Sequence, residues 1–181
     1  MRGIVFTEFL DMVEARHSLA VVDAVIARAG IASGGAYTAV GNYPAAEMHA
    51  LVGALAAETG TSTSGLLEAF GEHLAITFAA GYPQMFALHR TAMEFLCRVE
   101  DYIHIQVRSL YPDAELPSFE VVERTDDRVV MVYRSQRAMS ALAIGLTRGV
   151  GLHFGEPLAV TAEPLAADGS AVRLVITRVA A

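Results

Sequence analysis

The stretch FEVVERTDDRVVMVYRSQR, residues 119–137, decides the fold, because the spacing of apolar side chains changes within it. Residues 119–123 and 129–133 are short runs rich in β-branched and aromatic side chains, and Asp126 and Asp127 lie between them. Two such runs around a polar turn predict a pair of antiparallel strands. The sequence therefore predicts a β-hairpin at this point of the chain.

Helices are predicted before the hairpin, because apolar residues recur there at intervals of three and four and are interrupted by Gly and Pro. The predicted helices cover residues 6–13, 21–29 and 44–60, then about 61–81, then a longer pattern that continues to about residue 111. After the hairpin we expect a helix from about Gln136 to His153, followed by strands at 157–163 and 171–179. Helices first and antiparallel strands later predict an α+β fold, with an N-terminal helical part followed by helices packed on a C-terminal antiparallel sheet.

Composition limits the classes of function. The 181 residues match the size of one domain, 1–181, and the hydrophobic content of 54% with a mean hydropathy of +0.41 is high for a soluble protein. No apolar run reaches the roughly 18 residues of a membrane span, and the N-terminus lacks a signal peptide, so a cytoplasmic protein without membrane insertion is expected. The net charge is −7 and the 13 basic residues, all Arg, are scattered, which makes nucleic acid an unexpected partner. The single cysteine, Cys97, excludes an internal disulfide and a multi-cysteine zinc site.

His104 is a candidate metal ligand. Among the 6 histidines it is distinguished by its setting, YIHIQV at residues 102–107, near the middle of a predicted helix with apolar neighbours. Imidazole is a common metal ligand, but a buried structural histidine fits the same pattern. The residues alone leave both interpretations open.

Tyr133, Ser135 and Arg137 form a second candidate group, where a strand leads into a helix. If strand geometry continues, the three side chains point to one face at ~6.6 Å intervals. Two hydroxyl groups and a guanidinium suit the recognition of carboxylates. The competing interpretation is that Ser135 caps the helix and Arg137 is a surface charge.

Catalytic patterns are weaker. Cys97 and His104 are seven positions apart, about 10 Å along a helix, which is too far for a thiolate–imidazole pair. The connector at residues 33–37 lacks the flanking strand and glycine pattern of a phosphate-binding loop, and no nucleophile elbow or paired zinc-ligand spacing is present. An enzyme is therefore not expected.

Taken together, these motifs resemble the H-NOX (haem nitric oxide/oxygen-binding) family, also called HNOB, along nearly the whole chain. Tyr133, Ser135 and Arg137 match the family's Tyr-x-Ser-x-Arg signature. The other matching segments are MRGIVF at 1–6, DMV at 11–13, FGE at 70–72, Phe78, DYIH at 101–104, LYP at 110–112 and LP at 116–117.

The resemblance implies a binding site for haem b enclosed between the helical part and the sheet. It implies that His104 is the axial ligand of the iron, that Tyr133, Ser135 and Arg137 bind the haem propionates, and that Pro117 packs on the porphyrin. It further implies a distal or peripheral pocket lined by Val5, Phe9, Leu74, Phe78, Leu142 and Leu146.

The resemblance also implies a function: a sensor of nitric oxide, able to bind CO as well, that has no enzymatic activity. Release of His104 on NO binding would let its helix shift, and the signal would pass to a separate protein, for which stand-alone bacterial members suggest a histidine kinase or a cyclic-di-GMP enzyme. The chain departs from some members in having Leu142 at the distal tyrosine position and in lacking a zinc-binding cysteine cluster. The alternative is a haem-free α+β module that binds a small apolar ligand or a protein partner.

Overall fold

The computed structural model describes residues 1–112 and 114–179; residues 113, 180 and 181 of the predicted domain lie outside it. The helices are α1 (Gly3–Arg16), α2 (Leu19–Ala29), α3 (Ala45–Thr59), α4 (Thr63–Gly81), α5 (Pro83–Ala87), α6 (Ala92–Cys97), a π-helix (Val99–Ile103), α7 (His104–Leu110) and α8 (Ser140–His153). The strands are β1 (Ser118–Arg124), β2 (Arg128–Arg134), β3 (Leu158–Pro164) and β4 (Ala171–Arg178). The α+β fold class is confirmed.

The chain divides into two compact units, Met1–Phe70 and Gly71–Ala181. The prediction of one domain over residues 1–181 stays a prediction. In the first unit, α2 packs against α1 and α3 around a buried aromatic and aliphatic core. The rings of Phe9 and Phe70 meet edge to face, with centroids 5.2 Å apart, as aromatic pairs in protein cores prefer.

A buried carboxylate ties the connector between α2 and α3 to the first unit. Glu47, on α3, accepts hydrogen bonds from the Ser33 hydroxyl at 2.5 Å and from the Tyr37 hydroxyl at 2.7 Å. The Tyr37 ring in turn stacks on Phe6 with centroids 4.4 Å apart. Hydrogen bonding is what makes burial of this charge tolerable, since an unpaired buried carboxylate would be costly.

In the second unit a four-stranded antiparallel sheet has the order β1-β2-β4-β3. The central strand β2 is buried from Val129 to Tyr133 and pairs with β1 on one side and with β4 on the other. Helix α8 lies close to the second half of α4: a Cβ at Gly149 would lie 2.6 Å from the Cβ of Ala75, and one at Gly71 would lie 2.4 Å from the carbonyl oxygen of Leu142. Only glycine permits so close an approach of two helices at these positions.

The expected long helix before residue 111 is wrong in one respect, because the structure breaks it into α5, α6, the π-helix and α7. A break falls at Thr91, whose side chain accepts a hydrogen bond from the Glu94 amide and so begins α6 as an N-cap. The π-helix follows α6 directly and widens the turn just before His104. Single π turns of this kind are frequent at functional sites.

The helix expected from Gln136 begins instead at Ser140. Ala138 has φ +51°, a left-handed conformation that a right-handed helix cannot contain. The strand β2 ends at Arg134, so strand alternation does not continue to Arg137 as the sequence argument supposed. Ser135 does not cap α8, since its hydroxyl accepts a hydrogen bond from the Arg137 amide at 3.2 Å within the turn.

Candidate cofactor site around His104

His104 lies at the first position of α7, directly after the π-helix, and only 8% of it is exposed. Its Nδ1 lies 3.1 Å from Oε2 of Glu100, one helical turn earlier. The ring also faces Phe119, with centroids 5.8 Å apart. The imidazole is thus held on one edge by a carboxylate and on a face by an aromatic ring.

The Glu100 carboxylate is itself held by further donors. The backbone N–H of Phe119 donates to Oε2 at 3.0 Å, and Nη2 of Arg108 donates to Oε1 at 3.1 Å. Burial acts to raise the pKa of the Glu100 carboxyl, but these hydrogen bonds and the one from His104 outweigh it, so the pKa lies below its ordinary value. Glu100 is therefore ionised at neutral pH.

An ionised carboxylate can only accept hydrogen bonds, so Nδ1 of His104 carries the proton and donates it to Glu100. Nε2 then carries the lone pair, and no hydrogen bond from any residue that the structure describes reaches it. Burial lowers the pKa of His104, and the opposing effect of the Glu100 carboxylate does not cancel it. The result is a neutral imidazole with its Nε2 lone pair available, the form in which histidine binds a metal.

Phe119 connects the two groups that the sequence singled out. On β1 it pairs with Tyr133 on β2, and their ring centroids are 5.6 Å apart. Its ring also contacts His104, and its amide binds Glu100. The hairpin thereby places Tyr133 near the imidazole through one intervening ring.

Tyr133, Ser135 and Arg137 each have a defined role in the turn after β2. Tyr133 is 2% exposed, and its hydroxyl oxygen accepts a hydrogen bond from the Met139 amide at 3.2 Å. Because this hydroxyl and that of Ser135 both accept from backbone amides, each retains its own hydrogen to donate. The guanidinium of Arg137 is only 17% exposed and contacts the backbone carbonyl and the carboxylate of Glu115.

Ser135 also lines an open hollow of about 400 Å³ in the second unit. Its other lining residues are Leu116, Ser118, Arg134, Gln136, Ser170 and Ala171. The guanidinium of Arg134 pairs with Glu120 at 2.8 Å. Ser135 therefore borders solvent-accessible space.

The apolar residues of the predicted pocket fall in both units and are described separately. In the first unit, Phe9 is buried and Val5 is half-buried on α1. In the second, Leu74 is buried on α4, whereas three residues are half-buried: Phe78 on α4 and Leu142 and Leu146 on α8. Pro117 is half-buried just before β1.

These residues fit a haem. A buried imidazole with a free Nε2 suits an iron, and two hydroxyl donors with a half-buried guanidinium suit the carboxylates at a haem's edge. The half-buried Phe78, Leu142 and Leu146 suit its apolar macrocycle. Nowhere in residues 1–112 and 114–179 do three or more His, Cys, Asp or Glu side chains group in a way that would hold a metal ion on their own.

Sequence reasoning missed Glu100 and Phe119. Glu100 precedes His104 by four positions, a spacing that places side chains together on a helix, so this partner was detectable. Phe119 required the hairpin register, which puts it opposite Tyr133. None of the helices in the described part of the chain is both long and apolar enough to cross a membrane.

Comparison with known proteins identifies the family. The family model described as Haem-NO-binding, HNOB, matches residues 2–162. The unliganded Fe(II) H-NOX protein of K. algicida is 38% identical, with a TM-score of 0.95 over 100% of this chain and 98% of that chain. The IWP-051-bound H-NOX of Shewanella woodyi in the Fe(II)CO state is 29% identical, with a TM-score of 0.82 over 99% and 95%.

A curated relative is also similar: soluble guanylate cyclase 89Db of Drosophila melanogaster is 35% identical over 115 residues, which is 62% of this chain. The match spans only 17% of that cyclase. The chain thus corresponds to one part of a larger protein in this case. From the family match over most of its length and from its fold, the chain belongs to the HNOB, or H-NOX, family of haem-based gas sensors, which are sensor domains and not enzymes.

Proposed function

We propose that this chain is a nitric oxide sensor that binds haem b, with Nε2 of His104 as the axial ligand of the iron. The observation that carries this proposal is the state of His104: it is buried, its Nδ1 is engaged by Glu100, and its Nε2 has no hydrogen-bonding partner among the described residues. A histidine that binds a metal typically has this arrangement, with one ring nitrogen hydrogen-bonded to a carboxylate and the other available to the metal.

The remaining haem contacts are part of the same proposal. Tyr133, Ser135 and Arg137 bind the haem propionates, and Pro117 packs on the porphyrin. The apolar surroundings of the haem are Val5, Phe9, Leu74, Phe78, Leu142 and Leu146. Support for the propionate assignment comes from the two retained hydroxyl hydrogens and the half-buried guanidinium described above.

Bound haem iron supplies the coordination position at which a gas binds. Polarity around that position discriminates among gases, since O2 gains from a nearby hydrogen-bond donor whereas NO and CO bind without one. Leu142, Leu74 and Phe78 offer no donor, so the ferrous protein is expected to bind NO and CO but not to retain O2. In air, a persistent spectrum distinct from both the gas-free ferrous and the ferric forms would contradict this expectation.

The output of the sensor passes to a separate cytoplasmic protein, for which a histidine kinase or a cyclic-di-GMP enzyme is the proposed partner. His104 begins α7, and Glu100 links it to the amide of Phe119 on β1. A change in how firmly His104 is held would therefore reach both a helix and a strand, which makes this region a suitable two-state element. Partner activity measured with the gas-free and NO-bound protein tests this part of the proposal.

Replacing His104 tests the central assignment. The purified wild-type protein should show a Soret band, and His104→Gly should lose stable haem binding because the only bond from protein to iron is removed. Added imidazole should restore part of it. The matched control is His17→Gly, which alters an exposed histidine at the end of α1 and should keep the wild-type spectrum.

Two outcomes would count against the proposal. A His104→Gly protein with the wild-type ferrous spectrum in the absence of imidazole would show that another residue binds the iron. A wild-type protein without a Soret band, purified with haem in excess, would favour the haem-free module that binds a small apolar ligand or a protein.

A further inference from the structure

Glu100 stands at the centre of a hydrogen-bonded group that nothing in the proposed haem contacts requires. Its carboxylate accepts from Nδ1 of His104 at 3.1 Å, from the Phe119 amide at 3.0 Å and from Arg108 at 3.1 Å. We propose that Glu100 is a positioning residue for the haem iron, which fixes the orientation of His104 and makes it a more electron-rich ligand. This inference rests on the proposed role of His104.

Orientation is the first effect. Glu100 is the second residue of the π-helix and His104 the first residue of α7, so the carboxylate approaches the imidazole from the preceding turn. Its bond to the backbone of β1 holds the carboxylate in place independently of the helix. Because the Nδ1–H can donate only along the direction of Oε2, the ring cannot turn freely, and Nε2 keeps one direction.

Charge is the second effect. A carboxylate that accepts the Nδ1 proton of a ligating histidine raises the basicity of that ligand, and partners of this kind commonly change metal affinity about 10- to 100-fold when removed. Here the carboxylate is about one third exposed, and its other oxygen is engaged by a guanidinium. How strongly it acts on the imidazole therefore depends on how much of its charge Arg108 withdraws.

Arg108 allows the direction of the charge effect of Glu100 on His104 to be tested. Its guanidinium is 44% exposed and bonds Oε1, whereas His104 bonds Oε2. Without Arg108, the negative charge of the Glu100 carboxylate acts more strongly on the His104 imidazole. With a neutral residue at position 100, that charge is absent. The two substitutions should change the iron–histidine bond in opposite directions, which a mere loss of packing would not do.

The experiment is resonance Raman spectroscopy and redox titration of the haem-loaded ferrous full-length chain. Glu100→Gln should lower the iron–histidine stretching frequency, raise the midpoint potential and speed haem loss about tenfold. Arg108→Ala should raise that frequency and lower the potential. The matched control is Asp101→Asn, which removes the same charge from the neighbouring residue of the π-helix, where the carboxylate pairs with Arg98 at 3.3 Å and is 59% exposed.

An unchanged frequency and potential in Glu100→Gln, or a shift of the same size in Asp101→Asn, would overturn the inference. If Glu100→Gln fails to retain haem, Arg108→Ala decides: a higher frequency supports the inference, and an equal or lower one overturns it. Two other results would contradict the haem proposal and not this inference. They are a wild-type chain that shows no iron–histidine band, and a His104→Gly variant that still shows one.

Discussion

Arg134 and Arg137 are three positions apart, yet their guanidinium groups lie in different environments. Arg134 is half exposed and pairs with Glu120, whereas Arg137 is 17% exposed and bonds the backbone of Glu115. If Arg137 binds a propionate, Arg137→Ala should weaken haem retention, because a hydrogen bond to a buried charge is worth about 1.5–3 kcal/mol, or roughly tenfold to a hundredfold in affinity. Arg134→Ala is the control, and haem transfer to apomyoglobin measures both rates. Equal rates would remove the propionate assignment of Arg137.

Individual residues were predictable to different degrees. His104 was singled out as a candidate from its apolar setting, and the pair of hydroxyls with Arg137 from spacing and chemistry; their roles at a haem stay predictions. Strand alternation does not bring Tyr133, Ser135 and Arg137 to one face, because β2 ends at Arg134. Ser135 and Arg137 lie instead in a turn that contains the left-handed Ala138. Such a turn has no signal in a sequence with alanine at that position, since alanine rarely adopts positive φ.

At the scale of elements, the contact between α4 and α8 depends on glycine. A Cβ at Gly149 would lie 2.6 Å from the Cβ of Ala75 and 2.8 Å from the carbonyl oxygen of Glu72. Gly149→Ala should therefore lower the free energy of unfolding by about 1–3 kcal/mol, as overpacking does. Chemical denaturation measures the change.

The control for this prediction is Gly53→Ala. Gly53 lies on the exposed side of α3, and a Cβ there would meet nothing within 4 Å. Alanine should stabilise a helix at such a position by about 0.5–1 kcal/mol. If Gly149→Ala and Gly53→Ala changed the free energy of unfolding in the same direction, the close contact between α4 and α8 would not explain the glycine at position 149.

Elements with clear periodicity were predicted well, and interrupted ones were not. The hairpin and the helices α1 to α4 follow apolar spacing that the sequence shows directly. Between Tyr82 and Tyr111 the apolar spacing favours one long helix, but the structure breaks the chain at Thr91, whose side chain caps α6, and at the π turn of Val99–Ile103. The break at Thr91 was detectable, because Thr followed three residues later by Glu is a local signature of a helix start. The π turn has no comparable signature.

For the molecule as a whole, the buried Glu47 group predicts how stability depends on pH. Hydrogen bonds from Ser33 and then Tyr37 hold the pKa of Glu47 below its ordinary value, and burial raises the pKa of Tyr37 to about 12. A carboxyl with a lowered folded-state pKa contributes stability above its unfolded pKa and loses it as the pH falls further. A tyrosine with a raised pKa contributes stability below about pH 10, which is lost as the pH rises toward 12.

The free energy of unfolding should therefore decrease below about pH 4.5 and again above about pH 10. Glu47→Gln should cost about 1.5–3 kcal/mol at pH 7 and weaken the acid dependence. The control Glu14→Gln changes an exposed carboxylate on α1. Urea denaturation from pH 3 to pH 11 makes the comparison, and parallel curves for Glu47→Gln and the wild type would contradict this role of Glu47.

On the same scale, the order of structure along the chain was predictable, but the division into units was not. A helical region followed by an antiparallel sheet follows from the change of apolar period near residue 119. The boundary between Phe70 and Gly71 falls inside α4, where the helical pattern is uninterrupted. Composition gave no sign of it, because no linker separates the two units.

Pairing between β1 and β2 shifts register at a bulge between Val121 and Glu123, and this bulge affects how the protein behaves in concentrated solution. β1 is an edge strand, and the side chains of Val121 and Val122 on it are 39% and 59% exposed. A regular, apolar edge of this kind invites a strand from another molecule to add to the sheet. The shift between Val121 and Glu123 breaks the row of backbone groups that such a strand would need, and the charge of Glu123 follows directly. The bulge, which interrupts pairing between β1 and β2 within one molecule, therefore also opposes aggregation between molecules through this edge.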